Sequence, residues 1–245
     1  MPFITKTVVC SNCGAPLIYE SGENIITCKY CGATQLLDVS KPFILDHSML
    51  PLKYGEDKID GILLDWMKEG FLKPKDLAKK SRIESKELKF LPFWIISVKA
   101  ETFYEGLFER INPPVRKKGS IVKEYDWRVL GRKGSSFPIR EFEISLSRRV
   151  PFNYLKIPAN CSVLNSEIDE VNAKKIAEQE IEAHHKMLAL DLVDRIIDFK
   201  TSFEFKSVIY LHAPVWFIVY KYKSELFKVL VDGNSGLVIK GEFPV

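Results

Sequence analysis

Four cysteines near the start constrain this 245-residue chain more than anything else in it. They run Cys10-Ser11-Asn12-Cys13 and, after fourteen intervening residues, Cys28-Lys29-Tyr30-Cys31. A C-x2-C pair lets one tight turn aim two sulfurs at an ion, and two such turns complete a tetrahedron. Glycine follows each pair, at Gly14 and Gly32, where a chain folding back under a metal needs a positive φ. The spacing predicts one structural zinc ion on Cys10, Cys13, Cys28 and Cys31. Two disulfides, or a redox C-x2-C pair, are the competing readings of the same residues. Residues 1–9 include Lys6 but not the long apolar core of a secretory signal. The expected compartment is therefore a reducing one, the cytoplasm, which disfavours disulfides. Four thiolates close the coordination sphere and leave no open position for catalysis.

Between the two pairs, Leu17 to Tyr19 and Asn24 to Thr27 predict two short strands turning at Ser21-Gly22-Glu23. Two knuckles held by such a hairpin resemble a zinc ribbon. This module is expected over residues 1–40, closed by Leu36 to Ser40. A connector over 41–55 opens at Lys41-Pro42, with Phe43 to Leu45 as a short strand or strap. Residues 56–245 then form a larger α+β domain. With 46% hydrophobic and 28% charged residues, the chain has enough apolar material for such a core. No run reaches the roughly eighteen apolar residues that cross a bilayer.

From Glu56 the apolar period becomes helical: Ile59, Ile62, Leu63, Trp66 and Met67 share a face, and Gly70 suits the end. A short helix fits Pro74 to Lys80. A strand covered on both faces starts near Leu91 and continues to about Tyr104. Residues 110–149 predict an antiparallel meander, with strands over 121–130 and 137–146. The longest helix is expected over about 166–198, capped by Ser166, with Ile168, Val171, Ile176, Ile181, Met187, Leu188 and Leu192 on its apolar side. Four strands close the chain: 202–212, 214–223, 225–232 and 236–242.

An internal echo accompanies this order. Pro92-Phe93-Trp94-Ile95-Ile96-Ser97-Val98-Lys99 lines up with Pro214-Val215-Trp216-Phe217-Ile218-Val219-Tyr220-Lys221. It raises two related halves, 56–150 and 151–245, against coincidence. Trp94 and Trp216, set in apolar runs, read as core anchors rather than stacking platforms.

The order of a CxxCG…CxxCG ribbon, a helix, Leu91-Pro92-Phe93-Trp94, a long helix, Pro214-Val215-Trp216 and Val231-Asp232-Gly233-Asn234-Ser235-Gly236 resembles a family of prokaryotic zinc-ribbon proteins. Its members are often labelled primosomal-helicase-like or TFIIB-type zinc-ribbon proteins. The closing Val231 to Val238 is also similar to the end of PepSY-type modules, which are helix-plus-sheet binding units. The resemblance implies a zinc-ribbon architecture but no settled activity. The chain has no G-x-x-x-x-G-K-[ST] phosphate loop, so ATP-driven unwinding lacks its central part and no nucleotide cofactor is expected.

Catalytic constellations are likewise missing: there is no G-x-S-x-G, H-E-x-x-H or dinucleotide-binding glycine loop. The histidines are His47, His184, His185 and His212. The adjacent His184 and His185 diverge by about 100° on a helix and cannot share an ion. Cys161 reads as a spare buried thiol. Charge is uneven under a mild net +4: residues 110–149 hold eleven Lys or Arg against four acids, and 167–198 hold nine acids against four bases. Internal complementarity explains this. So does a phosphate-facing surface of Arg116, Lys117, Lys118, Lys123, Arg128, Arg132 and Lys133, with Tyr125 and Trp127 for stacking. The leading expectation is a non-catalytic binding or scaffold protein that docks a protein partner. The alternative is a protein that binds DNA or RNA through the ribbon and the basic strands of 110–149.

Overall fold

A computed structural model describes residues 8–20, 22–37 and 46–244. Lys6, Ser21, the closure beyond Leu37 and the strap at 43–45 lie outside the described residues. The fold is mixed α+β and mostly sheet. The first strands are short: β1 Val8–Val9, β2 Pro16–Leu17, β3 Ile25–Thr27, β4 Thr34–Leu36 and β5 Asp46–Met49. Helices α1 Glu56–Lys68 and α2 Leu77–Lys80 follow, then β6 Ser81–Phe108 and β7 Val115–Leu130. Two-residue strands β8 Val150–Pro151 and β9 Ser162–Val163 precede α3 Glu170–Leu192. The chain ends in β10 Arg195–Tyr222, β11 Glu225–Asp232 and β12 Val238–Gly241. No helix among the described residues is long and apolar enough to cross a membrane.

Contacts gather the chain into two compact units. One takes residues 1–93, 130–167 and 211–245, the other 94–129 and 168–210. Each draws on both 56–150 and 151–245, because the 28-residue strands β6 and β10 are both divided: the first part of β6 and the second part of β10 belong to the first unit, and the remaining parts to the second. In the first unit α1 buries Ile59, Leu63 and Met67 against Trp216, Tyr220 and Val229, so the predicted stripe is the packed one. In the second unit α3 is phased differently from expectation. Its buried stripe is Ala173, Ala177, Ile181, His185 and Ala189, while Val171, Met187 and Leu192 are exposed. Small side chains let this helix lie close to its sheet, so bulk was the wrong guide to the inner face. The helix is capped by Asp169, whose carboxylate accepts from the Asn172 N–H, and not by Ser166, whose hydroxyl donates to the Gly131 carbonyl.

Two strand expectations are corrected. Residues 202–222 are not two strands but part of the single strand β10, with Pro214 inside it. Residues 137–146 form no strand ladder. Burial alternates from Phe142 to Leu146, but Pro138 lacks an N–H, and Phe137 and Phe142 close instead around Phe93, with ring centroids 5.5–5.8 Å apart.

The echoed residues occupy matching settings. The Pro92 carbonyl accepts from the Gly131 N–H, and the Pro214 carbonyl from the Gly233 N–H, at 2.8 and 2.9 Å. The Gly131 carbonyl then accepts from the Glu167 N–H and the Gly233 carbonyl from the Lys53 N–H. The next residue in each case receives a tryptophan: Trp94 Nε1 donates to the Ile168 carbonyl and Trp216 Nε1 to the Tyr54 carbonyl, both at 2.8 Å. Asp169 and Gly55, which follow, are the N-caps of α3 and α1. A Cβ on Gly131 would come within 2.5 Å of the Ser166 hydroxyl, and one on Gly233 within 2.9 Å of Leu52. Both glycines are therefore set by close approach.

Trp94 and Trp216 are each buried and each tie a helix start to a strand. Either one changed to Ala is expected to cost about 3–5 kcal/mol, measured by denaturant unfolding. An unchanged midpoint in both variants would contradict the packing described.

Candidate metal centre and its anchorage

Each cysteine pair sits in its own knuckle. The Gly14 N–H donates to the Cys10 carbonyl and the Cys10 N–H to the Ala15 carbonyl, both at 2.8 Å. The second knuckle repeats this with Gly32, Cys28 and Ala33, again at 2.8 Å. Gly14 and Gly32 have φ of +72° and +74°, the left-handed turn their sequence positions predicted. Strand pairing differs from expectation. The predicted hairpin across residues 21–23 is absent among the described residues; β1 pairs with β2 and β3 with β4, so each knuckle is the tip of its own hairpin.

Together the two tips bring all four sulfurs within 4.8 Å of one another. Cys10 and Cys31 Sγ are 3.6 Å apart, and Cys13 and Cys28 Sγ 3.7 Å. Sulfurs at about 2.3 Å from a tetrahedral ion lie about 3.8 Å apart, so the donor set fits one metal ion. Cys10 and Cys28 are buried on Leu17 and Ile26, while Cys13 and Cys31 face outward. The Asn12 side chain and the Ala33 amide hold the Cys31 thiol down to about 6. A backbone bond from Ala15 favours the Cys13 thiolate too, but desolvation and the three neighbouring sulfurs push it up to about 12. The sulfurs compete for negative charge, and a shared cation removes that competition.

Polar contacts anchor the module to Arg132 and to residues 165–167. Arg132 is the centre. Its guanidinium meets Glu23 Oε1 at 3.0 Å, Glu20 Oε2 at 3.2 Å and Glu167 Oε1 at 3.4 Å, and donates to the Asn165 carbonyl. The Glu23 carboxylate is nearly buried and also accepts from the Asn165 side-chain amide and the Glu20 N–H. The Asn24 and Ile25 N–H groups donate to the Ser166 carbonyl, and the Thr27 N–H to the Asn165 side chain.

A second tether is a relay that no sequence pattern announced. His212 Nε2 lies 2.9 Å from the Leu164 carbonyl, which only accepts, so this nitrogen carries the proton. Neutral His212 then presents Nδ1 as acceptor to His47 Nε2 at 2.9 Å. His47 Nδ1 in turn accepts from the Thr34 hydroxyl at 2.8 Å, and Thr34 lies 3.1 Å from the Thr27 hydroxyl. Thr27 and Thr34 face each other across the second knuckle. Burial pushes His212 down to about 4; burial and then the neighbouring His212 push His47 down to about 2.

Other singled-out residues are placed as follows. His184 and His185 diverge: His185 is buried between the Thr102 and Tyr125 hydroxyls, and the His184 ring lies near those of Tyr125 and Trp127. Tyr125 and Trp127 are half-buried, with Trp127 Nε1 donating to Glu180. Cys161 donates to the Pro158 carbonyl, and burial pushes its thiol up to about 11. The basic residues do not form one open face. Arg116 and Lys118 both pair with Glu105, Lys117 sits 3.5 Å over the Phe108 ring, and Arg132 belongs to the anchor. Arg128 is half-buried, and Lys123 and Lys133 are exposed. No family model, no curated protein and no solved structure matches the chain.

Cys13→Ser is expected to abolish a one-to-one metal content and loosen residues 8–37, while the remaining core stays folded. Metal analysis with hydrogen exchange checks this; a variant that keeps its metal would refute the donor set. The histidine relay predicts an acid limit. Both groups are neutral in the fold and titrate near 6.5 when unfolded. Their contribution is therefore complete above pH 6.5 and falls as pH drops, until about 4 for His212 and about 2 for His47. Each adds a slope of about 1.4 kcal/mol per pH unit in that range. A His47→Gln, His212→Asn variant should unfold with an acid slope shallower by about two protons between pH 6 and 4.

Proposed function

We propose that this chain is a non-catalytic, zinc-dependent binding protein whose four-cysteine module docks a protein partner. Zinc is the ion that best suits four thiolates in a tetrahedron with no open position. The observation that carries the docking reading is what the module leaves outside. Its polar edge, from Glu20 to Thr34, is used up by Arg132, residues 165–167 and the histidine relay, whereas Ile18 and Tyr30 remain 78% and 57% exposed. Val9, in the strand that leads into the first knuckle, is exposed as well. Apolar side chains on a rigid, metal-held tip are suited to anchoring in a partner's pocket. The nucleic-acid reading is weaker, because its cations are engaged within the chain: Arg116 and Lys118 on Glu105, Lys117 on Phe108 and Arg132 in the anchor. We also propose that the helix-and-strand halves are related copies, supported by the matched proline, glycine, tryptophan and helix-cap contacts.

Affinity capture from the native cell followed by mass spectrometry is expected to recover a specific protein with the parent chain and to lose it with Ile18→Asp, Tyr30→Ser, which should still bind its metal. Labelled single- and double-stranded DNA and RNA should show no binding at about 50 mM salt, where phosphate contacts are strongest. Binding that collapses by about 200 mM and weakens on reversing Arg116, Lys117 and Lys118 to Glu would replace the docking reading with the nucleic-acid one.

A further inference from the structure

The first part of β10 has an open side. In the second unit it runs beside β6: the Asp194 N–H donates to the Leu107 carbonyl, Thr201 and Thr102 share a hydroxyl contact at 2.8 Å, and Ser202 donates to the Glu101 carbonyl. Its other edge is paired only further on, by β11 from Val215 to Tyr222 and by β5, whose neighbour Leu50 bonds to His212. Among the described residues no strand covers that edge over 195–206. Such an edge is a row of unpaired N–H and C=O groups, a template for another strand.

The sequence of this edge says which strand. Asp198, Lys200, Ser202, Glu204 and Lys206 are exposed and alternate with half-buried Phe199, Thr201, Phe203 and Phe205. Pair the segment antiparallel with itself about Ser202, and residue 200 faces 204, 198 faces 206 and 199 faces 205. Every charge then meets its opposite, twice over by symmetry: Lys200 with Glu204 and Asp198 with Lys206. Neighbouring registers fail. Centred on residue 201, Asp198 faces Glu204; centred on 203, Lys200 faces Lys206. Like charges directly opposite destabilise a strand pair. Lys206 already reaches Glu124 at 2.6 Å, so in the pairing it would bridge two carboxylates.

We propose that the chain forms a two-fold dimer with a second copy of itself, joined antiparallel along β10 with Ser202 opposite Ser202. A self-complementary patch is what a two-fold interface requires. The surroundings suit it. A groove of about 840 Å³ lies between α3 and the start of β10, bordered by Lys186, Leu190, Asp194, Ile197 and Phe199. Leu190 and Ile197 are exposed there. Phe205 of the second copy, opposite Phe199, reaches the mouth of that groove and covers apolar surface left open in one chain.

The full-length protein is expected to have twice its 28.2 kDa chain mass by light scattering or sedimentation. Lys200→Glu and Glu204→Lys should each weaken the dimer about tenfold, since two like-charge contacts replace two attractive ones. Combining them exchanges the signs and should restore it. Ser202→Cys should cross-link into a covalent dimer on mild oxidation, whereas Ser207→Cys, set away from the axis, should not. A parent protein that stays monomeric at every concentration overturns the proposal. So does a dimer indifferent to both single substitutions, or one not restored by the pair, because its interface would lie elsewhere.

Discussion

Sulfurs 3.6–3.7 Å apart cannot all be thiolates without a cation among them, and the order of residues 8–37 depends on that cluster. The strands β1 to β4 are two or three residues long, too short to hold a hairpin in water by their ladders alone. Closing the two knuckles on one ion would supply what the ladders lack. Once closed, the module presents Glu20 and Glu23 on one stretch and Thr27 and Thr34 on another. These groups are what Arg132 and the His47–His212 pair require. An open module would leave a largely buried guanidinium and two buried imidazoles short of partners, a costly arrangement.

Arg132 suits its place because its guanidinium offers five donors in a fixed plane. It spans Glu20, Glu23, Glu167 and a backbone carbonyl at once, which a lysine ammonium on a single point of charge would not orient. The two tethers differ in how their polarity is set. The guanidinium only donates, so the direction of its hydrogen bonds is fixed. The imidazole relay works in the neutral state, with donors and acceptors alternating from Thr34 to Leu164, and a proton on His212 Nδ1 would set two donors face to face with His47 Nε2.

How much of this was legible depended on range. The cysteine donor set was fully legible, because metal geometry dictates local spacing and the following glycines. The stripe of α1 was legible because Ile59, Leu63 and Met67 are bulky and its neighbours polar. The stripe of α3 was not: alanines 173, 177 and 189 carry little hydrophobic signal, and the helix packs by closeness rather than bulk. Arg132 stood out only as one cation among eleven, since its carboxylates lie 109 and 35 residues away along the chain. His47 and His212 are 165 residues apart, and nothing in the flanking sequence of either speaks of the other. The knuckle hairpins were misassigned because a turn at residues 21–23 is a local signal, while the actual pairing closes around each cysteine pair separately.

The echo around Pro92 and Pro214 gains meaning from which helix each tryptophan serves. Trp216, late in the chain, caps the approach to α1, and Trp94, early in the chain, does the same for α3. Helix and anchor therefore come from opposite halves of the sequence in both cases. Neither 56–150 nor 151–245 contains a helix start together with the strand that fixes it. A cut between the halves would strip α1 of Trp216, Tyr220 and Val229 and strip α3 of Trp94 and Tyr104. The long strands β6 and β10 explain how this exchange is built. Each runs 28 residues without a break, long enough to give residues to both units.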